Sequence, residues 1–417
     1  MVLLLLYGLA FIDRQVISLL VGPMRKDLGV NDFQISLLQG FSFALLYSLC
    51  GLPLGFAVDR WPRRWVVFFG VLVWALAASA CGLARTFPQL LAARLLVGMG
   101  EAALAPAAYS MLSDLFPARK LTFALSIYSI GALMGAALSL ALGALVVRWA
   151  AGGVDLPLVG HRHAWQTAFL ITGLPGIGLA FLIFLIPEPR RTARAGLGGG
   201  RWTDLGRFIA ARAGFFACHF IGFASIMTLA YANLAWGPSF LMRRFHWPVT
   251  RVGLTLALFG FTTGAIAFVF SGRTVDLMVR RGVADAHFRF YVVAAAVLAV
   301  SGALAFHAPT PVLYFALMAL GAVALNMAAI GAAAIQMVTP APLRGRMSAV
   351  YLMVSGLAAM TLGPSTVALF TSKVFHDDAR IGDSLSATFL IFAPIALVAF
   401  LLGLAPMRRA VASVSED

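Results

Sequence analysis

The sequence predicts an all-α polytopic membrane protein, with twelve transmembrane helices arranged as two pseudo-symmetric six-helix bundles. Three observations carry this prediction. The first is composition: 61% of the 417 residues are hydrophobic and 11% charged, with mean hydropathy +0.92, where a soluble domain carries about 25% charged residues. The second is that the apolar residues come in blocks of about 20 or more, enough to cross a hydrocarbon core roughly 30 Å thick. The third is a charged loop motif that recurs at equivalent places in the two halves of the chain.

Reading the apolar runs against charged and Pro/Gly punctuation places helices near 2–23, 33–57, 65–84, 89–112, 121–147, 165–187, 208–235, 250–271, 288–307, 311–338, 347–370 and 386–406. The chain opens directly on a helix, so a short polar segment is expected to precede it in the natural protein. The first helix does not read as a signal peptide, because no basic stretch comes before its apolar run. Orientation follows from Lys and Arg. The loops after even-numbered helices, with the tail, carry 19 of the 31 basic residues, and the loops after odd-numbered helices carry 10. The positive-inside bias then puts both termini in the cytoplasm.

The net charge of +15 is a consequence of that topology and does not mark a nucleic-acid surface; anionic membrane lipids are the expected partners of the basic inner face. Cys50, Cys81 and Cys218 fall within helices at unrelated spacings, with no disulfide or metal framework. Arg outnumbers Lys by 28 to 3 and no N-x-[ST] acceptor is present, which points to a bacterial inner membrane. No cofactor is expected beyond a coupling proton, and the single chain is expected to be the working unit.

The longest polar interruption is "PEPRRTARAGLGGGRWTDLGR", Pro187 to Arg207, a Gly- and Arg-rich stretch of the kind that makes a flexible linker. It divides the chain into a first bundle (1–187), a cytoplasmic linker (188–207), a second bundle (208–407) and a tail (408–417). After helix 2 the chain reads "GFAVDRWPRR", Gly55 to Arg64, and after helix 8 "GRTVDLMVRR", Gly272 to Arg281. Both fit G-x-x-V-D-x-x-x-R-R without a gap. A fainter echo links "PARK" after helix 4 with "PLRG" after helix 10. Parallel six-helix repeats joined by a linker are an architecture in which two bundles rock about a midplane site.

Twelve helices, a 6+6 repeat and this doubled loop resemble the major facilitator superfamily over essentially the whole chain. The departure is Pro62, where the superfamily pattern has glycine; it stiffens the turn and leaves Asp59, Arg60, Arg63 and Arg64 in place. Physically the loop reads as a latch. Gly55 opens it, and the Asp59 carboxylate is expected to face a helix N-terminus of the other half, most plainly that of helix 11, where free N–H groups and the helix dipole favour an anion. Arg60 or Arg63 is expected to pair with Asp114 at the end of helix 4, and Asp276 is the repeat partner of Asp59. The alternative is that these charges only set topology.

The helix interiors hold the sharper signal. Of 31 basic and 16 acidic residues, four lie well inside predicted spans: Asp13 and Arg14 in helix 1, Arg94 and Glu101 in helix 4. Each costs roughly 2.5–3.5 kcal/mol near the bilayer centre on an insertion scale, and such groups characteristically line cavities and pair with one another. A purely structural ion pair is the competing reading, but it contributes little net stability after desolvation. Arg94 and Glu101 lie seven residues apart, two turns along one helix face. Gly98 and Gly100 thin helix 4 between and beside them, so a backbone or a substrate can approach closely. A buried carboxyl holds its proton more tightly and an approaching guanidinium loosens it. A conformational change that moves Arg14 or Arg94 relative to Asp13 or Glu101 therefore couples a proton to transport. Because adjacent residues point about 100° apart, Asp13 is expected to face the cavity and Arg14 a neighbouring helix, or the reverse.

Helices 7 to 12 contain no intramembrane Asp, Glu, Lys or Arg. Their polar groups are softer: His219, Thr228, Tyr231 and Asn233 in helix 7 and Asn326 in helix 10, each either a helix-packing hydrogen bonder or part of the cavity wall. A cavity charged on one side and largely apolar on the other suits an amphipathic molecule better than a sugar.

Two stretches narrow the resemblance. "FIDRQVISLL" followed by "RKDLGVNDFQISLL", and "RLLVGMGEAALAPAAYSMLSDLFP" in helix 4, resemble the spinster branch of the superfamily. The resemblance implies a lipid-like or other amphipathic small-molecule substrate, with Asp13 and Glu101 as proton-coupling residues and Arg14 and Arg94 beside them. The nearest alternative is a drug/proton antiporter. Many of those carry a Gly-Pro-rich helix 5, whereas here Ser129 to Gly143 has glycines and no proline. A membrane enzyme or a gradient-independent lipid scramblase is a different class. The scattered histidines share no helical face with a carboxylate, so an integral hydrolase lacks its nucleophile–base pair or metal cluster.

Overall fold

A computed structural model of the chain describes all residues except 117, 158–159, 190–201, 341–342 and 416–417. Among the described residues, twelve helices are long and apolar enough to cross a membrane: α1 (Val2–Leu19), α2 (Asp32–Gly51), α3 (Arg63–Cys81), α4 (Phe87–Leu115), α5 (Ile127–Trp149), α6 (Ala164–Leu185), α7 (Ala213–Phe245), α8 (Val249–Arg280), α9 (Ala286–Ala305), α10 (Pro311–Val338), α11 (Arg346–Val374) and α12 (Asp378–Ser413). Most of the predicted linker, Pro117 of "PARK", Pro342 of "PLRG" and the last two residues of the tail lie outside the described residues.

By internal packing the chain forms two units, one of Met1–Thr192 with Leu234–Phe261, the other of Ala193–Asn233 with Thr262–Asp417. The sequence division at 187 and 208 follows the chain, whereas packing assigns the second part of α7 and the first part of α8 to the first unit.

Within the first unit, local chemistry sets the ends and the breaks. Gly29 closes the short helix Val21–Leu28 with φ +64°, the left-handed conformation glycine adopts without strain. Asn31 then opens α2 with a reciprocal capping box, its side chain accepting from Gln34 N (2.9 Å) while Gln34 Oε1 accepts from Asn31 N (3.0 Å). Three irregularities interrupt the helices that carry charge. α1 tightens to a 3₁₀ turn at Ile17–Leu19, α2 widens to a π turn at Leu37–Phe41, and α4 breaks between Phe87–Glu101 and Leu104–Leu115. Such irregular turns recur at functional sites. The loop motif is helical as far as Arg60 and turns at Trp61–Pro62 before α3 begins at Arg63. A two-stranded antiparallel hairpin, β1 (Val154–Leu156) with β2 (Gly160–Arg162), joins α5 to α6.

α7 runs on to Phe245, beyond the predicted end at 235, with Pro238 inside it. Proline lacks an N–H and frees the carbonyl four residues back, here that of Leu234. Gln15 of α1 supplies the missing donor, Nε2 to Leu234 O at 3.2 Å, and Gln39 of α2 donates to the next carbonyl, Ala235 O, at 3.1 Å. With that carbonyl satisfied, the helix runs on through the proline.

In the second unit, α8 continues through the repeated motif to Arg280, and Gly282 (φ +82°) makes the turn that Trp61–Pro62 makes in the first unit. A short helix, Trp202–Ala211, precedes α7. α12 stays helical to Ser415 despite Pro394 and Pro406, so the described part of the predicted tail is helix. α10, read from sequence as one continuous span, is broken: Pro311–Gly321 and Met327–Val338 are separated by a 3₁₀ stretch at Ala322–Asn326. Carbonyls at and after the break find donors on neighbouring helices, Tyr291 Oη to Ala324 O (3.2 Å), Tyr351 Oη to Met327 O (3.0 Å) and His219 Nε2 to Gly331 O (2.8 Å). In hydrocarbon every freed backbone group needs such a partner.

Candidate functional site

The four intramembrane charges all belong to the first unit. Three of them are buried, with Asp13 1%, Arg94 1% and Glu101 2% exposed. Arg14 pairs with Glu101 and lies over three aromatic faces, 5.0 Å from the Phe11 ring centre, 4.5 Å from Phe43 and 5.0 Å from Tyr47. Ring faces stabilise a cation most where water is excluded. Tyr7 stacks on Tyr128 (4.4 Å) and Tyr128 meets Tyr109 edge-on (5.7 Å), extending the aromatic surface along α1, α4 and α5. The Tyr128 hydroxyl is buried with no hydrogen-bond partner among the described residues.

Asp13 points the other way. Its Oδ2 accepts from Trp74 Nε1 of α3 at 2.7 Å, while Oδ1 is buried without a hydrogen-bond partner among the described residues. The Thr172 hydroxyl of α6 lies beside it, but donates to Phe169 O at 3.3 Å. Of the adjacent pair, Asp13 is therefore the one turned into the helix packing, and Arg14 the one turned towards the aromatic surface.

Arg94 shares a helix face with Glu101 but binds backbone. Nε donates to Leu38 O (3.3 Å), a carbonyl in the π turn of α2, and Nη1 to Asp13 O (3.4 Å). Its guanidinium thus ties α4 to both irregular helices. The two glycines permit this approach. A Cβ at Gly98 would lie 2.2 Å from Phe43 O, and one at Gly100 2.6 Å from Trp74 N; the close neighbours are the backbones of α2 and α3. Glu101 is the last residue before the break in α4.

At the motif end of the first unit, Arg63 takes the partner sought for Arg60 or Arg63. It pairs with Asp114, and Nη1 also donates to Ser110 Oγ at 3.0 Å. Asp59 and Arg60 are exposed, and a side chain at Gly55 would meet open space among the described residues. Sequence reasoning missed Glu188, assigned to the linker. Its Oε1 accepts from Arg63 Nε (3.0 Å) and Arg63 N (3.2 Å), and its Oε2 from Arg64 N (3.0 Å). The carboxylate therefore caps the N-terminus of α3 from across the unit. Burial pushes its acidity down, but the Arg64 N–H, the Arg63 guanidinium and the Arg63 N–H outweigh that and hold Glu188 below the usual carboxylate range. The available signal was an acid between two prolines directly after α6.

At the opposite end, Asp32 is 1% exposed and holds Arg243 through two bonds, Nη1–Oδ2 2.8 Å and Nη2–Oδ1 3.0 Å, with Arg25 at 3.1 Å. This pair, also unread from sequence, binds the Leu234–Phe261 segment to the start of α2. Nearby, Asp27 receives Trp165 Nε1 at 2.8 Å and lies 3.0 Å from His163 Nε2.

In the second unit, His219 and Thr228 are engaged in packing: His219 bonds Gly331 O, and Thr228 Oγ1 donates to Ala224 O at 2.8 Å. Tyr231 is half-buried where α7 meets Gly363 of α11. Asn326 Nδ2 donates to Phe268 O at 3.4 Å, and the side-chain oxygens of Asn233 and Asn326 are buried without a hydrogen-bond partner among the described residues. Asp276 is exposed.

A chain of twelve apolar helices with a buried charge cluster is an integral membrane protein built to move a small molecule. The Major Facilitator Superfamily matches the chain twice, over residues 3–284 and 218–416, and the protein belongs to that family of transporters. Among relatives, it is 26% identical over 385 residues to an MFS-type efflux pump of Mycolicibacterium smegmatis, covering 90% of this chain and 84% of that protein. It is 28% identical over 233 residues to protein spinster of Drosophila melanogaster, covering 55% of this chain and 36% of that one. A probable L-galactonate transporter of Escherichia coli is 25% identical over 279 residues, 66% of this chain and 60% of that one. In fold it is similar to a bacterial homologue of the human lysosomal transporter spinster, solved in an inward-facing and unoccupied conformation. The TM-score is 0.79 at 22% identity, covering 100% of this chain and 97% of that one.

Proposed function

We propose that the chain is a proton-coupled secondary transporter that moves an amphipathic, lipid-like small molecule by alternating access, in a bacterial inner membrane with both termini cytoplasmic. The observation that carries the reading is the unequal pairing of the two buried carboxyls: Glu101 is engaged by Arg14, whereas Asp13 is held by the neutral donor Trp74. A proton on Glu101 removes its claim on Arg14. The guanidinium then offers itself to an anionic or hydrogen-bond-accepting head, with the Phe11, Phe43 and Tyr47 rings beside it for an apolar body. Asp13 takes the second protonatable position, with Arg94 anchoring the helices that hold both. The Asp59 latch belongs to the same proposal, as the contact that steadies one state.

The test is transport in proteoliposomes with a panel of lysolipids, sphingoid bases and cationic drugs, with and without a pH gradient. The parent is expected to concentrate its substrate only with the gradient. Asp13→Asn and Glu101→Gln are expected to abolish concentration while sparing equilibrative exchange. Transport by the parent that ignores the gradient would overturn the coupling. A second reading, export of a drug-like amphiphile in exchange for protons, is favoured by the similarity to an MFS-type efflux pump over 90% of this chain; the drug arm of the same panel separates the two.

A further inference from the structure

The first unit contains a crevice unrelated to the aromatic surface around Arg14. It lies between α5 and α6 over α1 and has a volume of about 190 Å³. Its floor is Leu9, Val16, Gly143 and Ala168, all buried. Its mouth is formed by Leu142, Ile171 and Pro175, all exposed. Every one of these residues lies within a segment long and apolar enough to span a membrane, at a depth where the medium around an outward-facing surface is lipid hydrocarbon. The face of α5 that carries Leu140 and Ala144 is already covered, with Gly253 of α8 packed against it. Leu142 and Val146, about 200° around the helix from those two, look elsewhere.

We propose that this crevice is a binding site for the acyl chain of a membrane lipid, inserted from the side between α5 and α6. Three observations select this occupant. The lining is apolar but for Thr172, so a polar head has no partner there. The volume falls below the roughly 300–1,000 Å³ of sites for drug-sized ligands, and a narrow chain end is what fits. Finally, the mouth opens within the span, where acyl chains are the solvent. The chain end packs against Thr172, whose hydroxyl sits beside Asp13, so the occupant adjoins the back of one buried carboxyl without touching the Arg14 surface.

The site is tested on the full chain in nanodiscs doped with a phosphatidylcholine that carries a diazirine at the end of one acyl chain. After photolysis, the lipid adducts are mapped by mass spectrometry. The expected result is several-fold more adduct per exposed residue on the peptides carrying Leu142–Val146 and Ile171–Pro175 than at Leu258 and Ile266 of α8, which are 67% and 68% exposed. Ala168→Leu, which fills the floor, is expected to bring the crevice label down to the α8 level, and excess tetradecane is expected to do the same in the parent. Equal labelling of crevice and α8 in the parent would reduce the site to ordinary annular lipid and overturn the proposal. Crevice label that persists with tetradecane would do the same, and needs no variant to fold.

Discussion

Glu188→Gln is the most direct probe of how the motif end of the first unit is held. The carboxylate accepts three hydrogen bonds, two from backbone N–H groups at the start of α3 and one from Arg63 Nε, at 3.0–3.2 Å. The amide keeps one acceptor oxygen, turns an NH₂ towards the Arg64 N–H and removes the charge. Hydrogen bonds to charged groups contribute about 1.5–3 kcal/mol each. The Glu188 side chain is 24% exposed, which screens the interaction, and Arg63 retains Asp114. The net cost is then about 2 kcal/mol, a fall in unfolding midpoint of roughly 4–8 °C for a unit of this size. The sign with pH is fixed by the lowered pKa of Glu188 in the folded chain. Its contribution is fully present above its unfolded pKa of about 4.3 and is lost as pH falls through the lower folded value. Thermal unfolding of the detergent-solubilised parent and variant from neutral to strongly acidic pH reads both effects. The gap is expected to be widest near pH 7 and to close on acidification. Equal midpoints at neutral pH, or a gap indifferent to acid, would refute the argument.

Two further perturbations address the helix contacts. Gly98→Ala sets a Cβ 2.2 Å from Phe43 O, so α2 and α4 must separate; thermal unfolding is expected to report a loss of about 1–3 kcal/mol, the usual cost of overpacking. Asp32→Asn leaves the Arg243 and Arg25 guanidinium groups facing a neutral amide. The cost is expected near 3 kcal/mol, the low end because the two arginine side chains are 19% and 27% exposed. Hydrogen exchange should register it as faster opening of residues 234–261 than of α3.

The twelve spans were legible because a hydrocarbon solvent demands long apolar runs, and the four charges because no other Asp, Glu, Lys or Arg lies well inside those runs. Their partners were not legible. A shared face put Arg94 and Glu101 together on paper. In the fold, Glu101 ends a helical segment and meets Arg14, while Arg94 donates to Leu38 O in the π turn of α2 and to Asp13 O of α1. Sequence periodicity assumes regular helices, and each irregularity rotates the turns beyond it. The break in α10 carries no proline, and carbonyls at and after it are satisfied by tyrosine and histidine side chains far away in sequence; at the break in α4, Pro106 withholds the helical N–H from the Ala102 carbonyl four residues back. Glu188 was absorbed into the linker because composition averages over a window, whereas its role depends on two N–H groups that fold back to meet it. Pro238 misled in the opposite sense, because a proline ends a helix only when its freed carbonyl has no donor.

Pro238 and Gln15 are tied through a shared carbonyl, that of Leu234. They meet through one hydrogen bond at 3.2 Å, from the glutamine to the carbonyl that the proline frees, across more than half the chain. Replacing the proline by alanine returns an N–H to Leu234 O and leaves the Gln15 amide competing for an occupied acceptor. Replacing the glutamine by leucine strands a carbonyl in hydrocarbon. The loss of the glutamine is therefore expected to cost less where the proline is also absent. Lineages of this transporter should therefore gain or lose the proline and its amide as a pair, leaving a correlated trace between α1 and α7 where neither position is charged.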